Sequence, residues 1–356
     1  MKKDFSLLAI ALLQLICFNA SAKVWRVNNN AVASANFSSF GTAVNDVSVL
    51  NGDTLYIEGS ATSYYDATIS KQLTIIGTGY FLDPADVNFP ANTGLQYNKY
   101  SSVIRSINLV TGSSGCKFIG IVFAGGTIYG DNAWNNITFE KCEIAEAFYV
   151  PNASNSGLTI RKCFINGITL VCNSGSLTDF TCENNIFVGF WASPNLTNLS
   201  GSNNIFRNNS FASPGIGNVM SISNCYVANN IFAQNNNTPV NFTNCNIKNN
   251  LFQQNQTLPP SAVNNLINVD MSTVYVGGST GSLDSRMMLK AGSPAIAAGV
   301  TVGAVTTPDC GAFGATDPYK LSGIPAIPTI YSLTAPTSIP SGTNTMNVTF
   351  STRNNN

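Results

Sequence analysis

The chain has 356 residues, with 17 basic and 17 acidic side chains, no histidine, and only 10% charged residues. That balance offers no basic stripe to neutralise phosphates and argues against a nucleic-acid partner; the lack of histidine and of any CxxC pair argues against zinc chemistry. Hydrophobic residues make up 44% and recur in regular columns, which argues against disorder.

Residues 1–22 carry Lys2 and Lys3, an apolar run at 7–18 and then Ala20-Ser21-Ala22. This is the pattern of a secretory signal peptide cleaved before Lys23. The apolar run is too short for a bilayer, so no transmembrane span is expected. The protein is then secreted, extracellular or held at the outer cell surface. Eight of the nine cysteines lie beyond residue 22. Stacked pairs such as Cys142 with Cys163, and Cys225 with Cys245, would present parallel Cβ vectors, a poor geometry for a disulfide. Free thiols packed as small apolar groups are the expectation.

Residues 23–70 form an entry cap. Phe40, Ala43, Val44 and Val47 keep a helical spacing before the turn Asn51-Gly52-Asp53 and a strand at 54–58. A short amphipathic helix there would cover the open edge of the first coil. First coils follow at 71–83 and 102–112, separated by a loop at 84–100. Regular winding begins with CKFIGIVF at 116–123.

From there a phrase returns: NNIF at 184–187, 203–206 and 229–232, NNLF at 249–252, NNLI at 264–267. Its second Asn gives the anchors Asn185, Asn204, Asn230, Asn250 and Asn265, preceded in the same slot by Cys142 and Cys163. A period of about 20 residues suits one turn of a β-solenoid, in which equivalent strands stack in parallel about 4.8 Å apart. Stacked Asn amides can then satisfy one another inside the tube. Two residues after each anchor runs an apolar column: Ile144, Ile165, Phe187, Phe206, Phe232, Phe252, Ile267. Two residues before the anchors, Glu140, Arg161 and Glu183 alternate in sign, as stacked neighbours should.

The residue just after each anchor is also apolar: Ile186, Ile205, Ile231, Leu251, Leu266. Either the bend turns both residues inward, or these form an outward aliphatic stripe that something must cover. On the second reading the tail returns over it through Ile327, Ile330, Leu333, Val348 or Phe350.

The phrases ITFEKCEI, LTIRKCFI and CYVANNIF, with CKFIGIVF before them, resemble the pectin lyase-like right-handed parallel β-helix proteins. The fold implied is an all-β, right-handed single-stranded parallel β-helix. It would span 23–322 in ten to twelve coils, a rod on the order of 50 to 60 Å long. The segment 283–318, with LDSRMMLKAGSPAIAAG and DCGAFG, resembles the closing coil of secreted bacterial β-helices, with Cys310 placed inside. The proline-rich tail, 323–356, holds two strand-like pieces and resembles the endings of β-helix proteins secreted by Bacteroidetes.

Such a scaffold hosts enzymes and non-enzymes alike, so function must be sought in the side chains. Lyases that this fold resembles use Lys or Arg as base, often with Ca²⁺ held by carboxylates. The matching candidates are Lys141, Arg161 and Lys162, with Lys141 and Lys162 stacked for contact with a uronate. Glu140, Glu143 and Glu146 are the candidate cation ligands, although solvated surface carboxylates are the plainer reading. No Asp pair of the hydrolase type is present. Tyr149 and Trp191 share a phase two coils apart, about 10 Å, and are candidate sugar-stacking platforms; Trp134 also falls near a turn. No cofactor is expected beyond possible Ca²⁺. These features favour a secreted or cell-surface protein that binds a polysaccharide or cell-surface glycan, or is structural and adhesive, without catalysis. A polysaccharide lyase is the alternative, and self-association through the aliphatic stripe a third.

Overall fold

The computed structural model describes residues 22–166, 170–172, 174–189, 194–212, 219–234 and 239–355; the leader and Trp191 lie outside these. Strands of two to four residues carry the coil, because a corner arrives before a longer strand can form. Successive strands join three different walls. The first wall has ten parallel strands, from Val24–Val27 to Asn246–Lys248; the second has eight, from Val103–Ile104 to Leu251–Phe252; the third has eight, from Ala67–Ile69 to Val240–Thr243. The protein is a parallel β-helix. The ten strands of its longest wall and eight of each other wall make about nine turns, short of the ten to twelve expected.

With a period of two, each short strand buries one or two side chains. On the first wall the inward column is Leu55, Ile75, Phe118, Phe139, Ile160, Cys182, Phe206, Val227 and Ile247, all buried. On the second it is Ile104, Phe123, Ile144, Ile165, Phe187, Phe211, Phe232 and Phe252. Rings in one column stack, with centroids 4.6 Å apart for Phe187 and Phe211 and 4.9 Å for Phe232 and Phe252. The cap helix Phe40–Asn45, N-capped by Ser39, buries Phe40, Ala43 and Val44 and packs on Ala67–Ile69, the open edge of the third wall; Val47 stays in solvent.

The corner between the first and second walls is built from two residues. The first lies in the left-handed region: Lys141, Lys162, Asn184, Asn208, Asn229, Asn249 and Asn264 have φ between 51° and 58°. Asn tolerates that region better than most residues. The second residue points inward and forms a ladder. Asn185 N donates to Asn209 Oδ1 (3.0 Å), Asn209 N to Asn230 Oδ1 (2.9 Å), Asn230 N to Asn250 Oδ1 (3.0 Å) and Asn250 N to Asn265 Oδ1 (2.9 Å). Above them Cys163 N donates to Asn185 Oδ1 (2.9 Å) and Cys142 N to Cys163 Sγ (3.4 Å). All eight cysteines beyond the leader are free thiols.

One anchor was misplaced by the sequence pattern. Asn204 is outside the ladder, and Asn209 holds its rung. Register pairs Ile205 with Thr181 and Ser210 with Ile186, which moves Phe206 to the first wall and puts Phe211 in the column assigned to it. Asn204 serves another corner, accepting from Phe180 N and donating to Ser200 O and Asn224 O.

Ile186, Ile231 and Leu251 of the expected stripe do point outward on the second wall and are covered, whereas Ile205 lies on the first wall and Leu266 is exposed. Phe164, Ile186, Ser210, Ile231 and Leu251 on the outer face of the second wall are buried. The cover is residues 271–325, which join none of the three sheets. The segment expected as a closing coil therefore runs back up the outside of the helix as a strap. Each corner residue reaches it in turn: Asn249 Nδ2 donates to Ala298 O (2.8 Å), Asn229 Nδ2 to Val300 O (2.9 Å), Asn208 Nδ2 to Asp309 O (3.1 Å) and Asn184 Nδ2 to Ala312 O (2.9 Å). Higher up, Lys162 Nζ meets Asp317 (2.5 Å) and Lys141 Nζ donates to Ile324 O (2.9 Å). The next corner residue is Gly120 (φ 65°), where a Cβ would lie 2.5 Å from the Pro325 ring. A loop from the other side completes the cover, with Phe81 edge-on to Phe164 at 4.9 Å and Tyr80 Oη bonded to Tyr319 Oη.

The tail beyond the strap does not reach the stripe. Thr329–Thr334 and Thr349–Arg353 pair as an antiparallel hairpin, tethered by Tyr97 N to Ile330 O (2.8 Å) and Arg353 Nη2 to Leu95 O (2.9 Å). Ending the chain after Pro325 should leave the stripe covered, whereas ending it after Val269 should expose Ile186, Ile231 and Leu251 and give strong binding of an environment-sensitive apolar dye. Equal dye fluorescence from the two truncations would contradict the strap's role. Asn230→Ala should cost about 3 kcal/mol in denaturant unfolding, because it leaves the buried Asn209 N–H and amide without their acceptor.

Candidate functional site

The three walls offer different outer faces. On the first wall one outward column holds Thr54, Thr74, Lys117, Thr138, Thr159 and Thr181, and the other holds Glu140, Arg161, Glu183 and Arg207. The charge column neutralises itself in pairs: Arg161 Nη2 lies 2.7 Å from Glu140 Oε2, and Arg207 Nη2 lies 2.7 Å from Glu183 Oε2. The second wall is under the strap. The third wall presents the row Thr68, Asn108, Tyr129, Tyr149, Val171, Asn195, Ser221 and Asn241, one residue per rung.

The basic candidates are thereby placed. Lys141 and Lys162 are neighbours in one column, as expected, but both are buried by the strap. Lys141 is 4% exposed, and burial pushes its amine below the ordinary lysine range. Lys162 contacts Asp317 and, at 3.4 Å, Glu140. Neither faces an open groove, so the uronate contact assigned to the pair is not formed at this surface. Arg161 is half-exposed but held by Glu140.

The three glutamates are divided rather than convergent. Glu140 belongs to the first wall, Glu143 faces outward on the second, and Glu146 accepts from Gly125 N (2.6 Å) at the following corner. Among the described residues, no group of three His, Cys, Asp or Glu side chains is arranged to hold a metal ion.

Tyr149 fares differently. It is 44% exposed and stands directly beside Tyr129, itself 39% exposed, on the adjacent rung. Sequence reasoning missed Tyr129, since its offset from an anchor column is legible only once the coil before Cys142 is in register. Trp134 is buried against Phe148 and offers no platform. Two indentations flank the tyrosines on the same wall. One, of about 210 Å³, is lined by Asp66, Thr68, Ser106, Asn108, Thr127 and Tyr129. The other, of about 630 Å³, lies several rungs along and is lined by hydroxyls and amides including Ser221, Ser223, Asn241, Thr243 and Gln256, with no charged side chain.

A separate pocket of about 230 Å³ brings Glu143 together with Asp83, Asp86 and Lys99 beneath Phe81 and Phe89. Burial, with the Asp284 and Asp86 carboxylates nearby, pushes the Glu143 carboxyl up to about 7. Asp83 is instead held below the usual carboxylate range by the Ala85 N–H and by Lys99, 3.2 Å away. Three of the cysteines are chemically quiet: burial pushes Cys116 and Cys172 up to about 11 and Cys310 up to about 12, far from thiolate reactivity at neutral pH.

No protein-family model matches the chain, and no curated protein matches it in sequence. Among the described residues no helix is long and apolar enough to cross a membrane.

The Glu143 carboxyl makes stability depend on pH in a defined direction. Its folded value lies above its ordinary 4.5, so the folded state holds the proton more tightly, and stability falls as pH rises from about 4.5 through about 7. Thermal melts should show Glu143→Gln matching the wild type near pH 4.5 and exceeding it above pH 7. Parallel melting curves across that range would show that Glu143 does not ionise against the fold.

Proposed function

We propose that this protein is a secreted or cell-surface parallel β-helix of the pectin lyase-like kind that binds a glycan along its third wall and does not cleave it. The observation that carries this reading is the row of Tyr129 and Tyr149, exposed on adjacent rungs between two indentations lined by hydroxyls and amides. An aromatic face takes the apolar side of a sugar ring, while Ser, Thr and Asn side chains donate to and accept from its hydroxyls. Among the described residues no strap crosses the third wall, whereas the strap covers the second and salt-bridged pairs line part of the first. Residues 1–22, with their leader pattern, support export.

The lyase reading draws no support from the placement of its candidate residues. A base that abstracts a proton must be within reach of substrate, and Lys141 and Lys162 are spent on the strap. Affinity electrophoresis through gels containing soluble polysaccharides tests the binding reading. Tyr149→Ala and Tyr129→Ala should each weaken retention roughly tenfold, the effect of losing an aromatic contact worth ~1 kcal/mol or somewhat more. Retention unchanged in both variants would remove the third wall from consideration, and release of unsaturated uronate product would replace binding by catalysis.

A further inference from the structure

The charge pattern around the third wall narrows the ligand class, on the condition that the glycan reading above holds. We infer that the wall selects uncharged glycans and excludes polyuronates. Its outward positions carry two acidic side chains, Asp66 and Asp131, the latter accepting from Asn108 Nδ2 (2.6 Å). The lining of the larger indentation has no charge of either sign. Across the described strands of this wall, the outward row holds Thr68, Asn108, Tyr129, Tyr149, Val171, Asn195, Ser221 and Asn241 and no base.

Among the described residues the basic groups at its margins are two, both at the first coils, and each donates to a backbone carbonyl. Arg105, at the corner leading into the wall, directs Nε and Nη2 at Gly125 O (3.4 and 3.3 Å). Lys71, at the other margin, donates Nζ to Asp46 O (2.6 Å). A polyuronate laid on this surface would bring one carboxylate per sugar against two like charges and a set of neutral dipoles. Beyond the first coils, where Arg105 and Lys71 stand, each carboxylate would give up water without gaining a cation, which is a repulsive device against acidic chains. A neutral sugar meets no such penalty, because hydroxyls and amides exchange hydrogen bonds with it in both directions. The acids do not form a cation site either: Asp131 is already partnered by Asn108, Asp66 alone of the two lines the smaller indentation, and no group of three His, Cys, Asp or Glu side chains among the described residues is arranged to hold a metal.

The experiment is affinity electrophoresis of the full chain at low salt in gels containing xyloglucan, galactomannan or arabinan as uncharged probes, polygalacturonate or alginate as uronate probes, and chitosan as a cationic one. At least one uncharged probe should retard the protein, with retention lost in Tyr149→Ala, while polygalacturonate and alginate leave its mobility at the value in plain gel. Retardation by a uronate or by chitosan that Tyr149→Ala abolishes would overturn the charge selectivity while leaving the third wall as the binding face. Retardation by none of the probes would overturn the glycan reading and this inference with it.

Discussion

The structure depends on what two consecutive residues do at one corner of the coil. Placing the first at positive φ turns the chain sharply from the first wall to the second, and Asn accepts that backbone at lower cost than most side chains. The same turn sends the first side chain outward and the second inward. The inward amide then solves a local problem. A corner interrupts the strand ladder, so its buried N–H would lack a partner, and the Oδ1 of the next rung supplies one. The outward amide binds a strap carbonyl, as Asn184, Asn208, Asn229 and Asn249 all do. The two residues that follow inherit the alternation, an aliphatic one outward under the strap and an aromatic one inward in the stack. Four letters thus specify corner, ladder, cover and core. Cysteine can replace the inward Asn because its sulfur is small, buried and able to accept weakly, as Cys163 does from Cys142 N.

What was legible in the sequence follows from which features are periodic. The coil and the alternating charges repeat with each turn and lie where the pattern placed them; the apolar column does so except at Phe206, whose place Phe211 takes, and at Ile267, which is exposed. Asn204 misled because NNIF at 203–206 has the right letters in the wrong phase. The charge column held the correction: Glu140, Arg161 and Glu183 each precede a ladder residue by two, and Arg207 likewise precedes Asn209. The strap was misread for the opposite reason. It has no period, its partners lie on seven different rungs, and its small residues and Cys310 imitate a last coil. The cue available was energetic, since an outward stripe containing Ile186, Ile231 and Leu251 needs a cover of comparable length.

The strap also decides where function can reside. Winding alone would leave three equivalent faces on the rod. Folding the chain back removes one face from solvent, and it draws Lys141 and Lys162, the only stacked basic pair in the corner column, into holding that cover. Pairing of Arg161 with Glu140 and of Arg207 with Glu183 leaves the first wall locally neutral. The third wall takes part in neither arrangement. Its outward row is free to diverge in side-chain type from rung to rung, and that is where exposed tyrosines and hydroxyl-lined hollows occur.

Glu143 is the group that most resembles catalytic equipment, since its raised carboxyl beside the lowered Asp83 is the contrast that acid–base sites use. Its surroundings decide otherwise. Its pocket lies between the loop that carries Phe81, Asp86 and Lys99 and the second wall, with Phe81 and Phe89 stacked in its lining. It opens on the second wall, whereas the surface able to hold an extended chain is the third. The perturbed carboxyl is better understood as a consequence of closing the loop of Phe81 to Lys99, with the strap's Asp284 nearby, over a position that must alternate outward. Its neighbours in that outward column are Val122 and Phe164, both buried, so a glutamate there is held against the apolar cover and keeps its proton near neutrality.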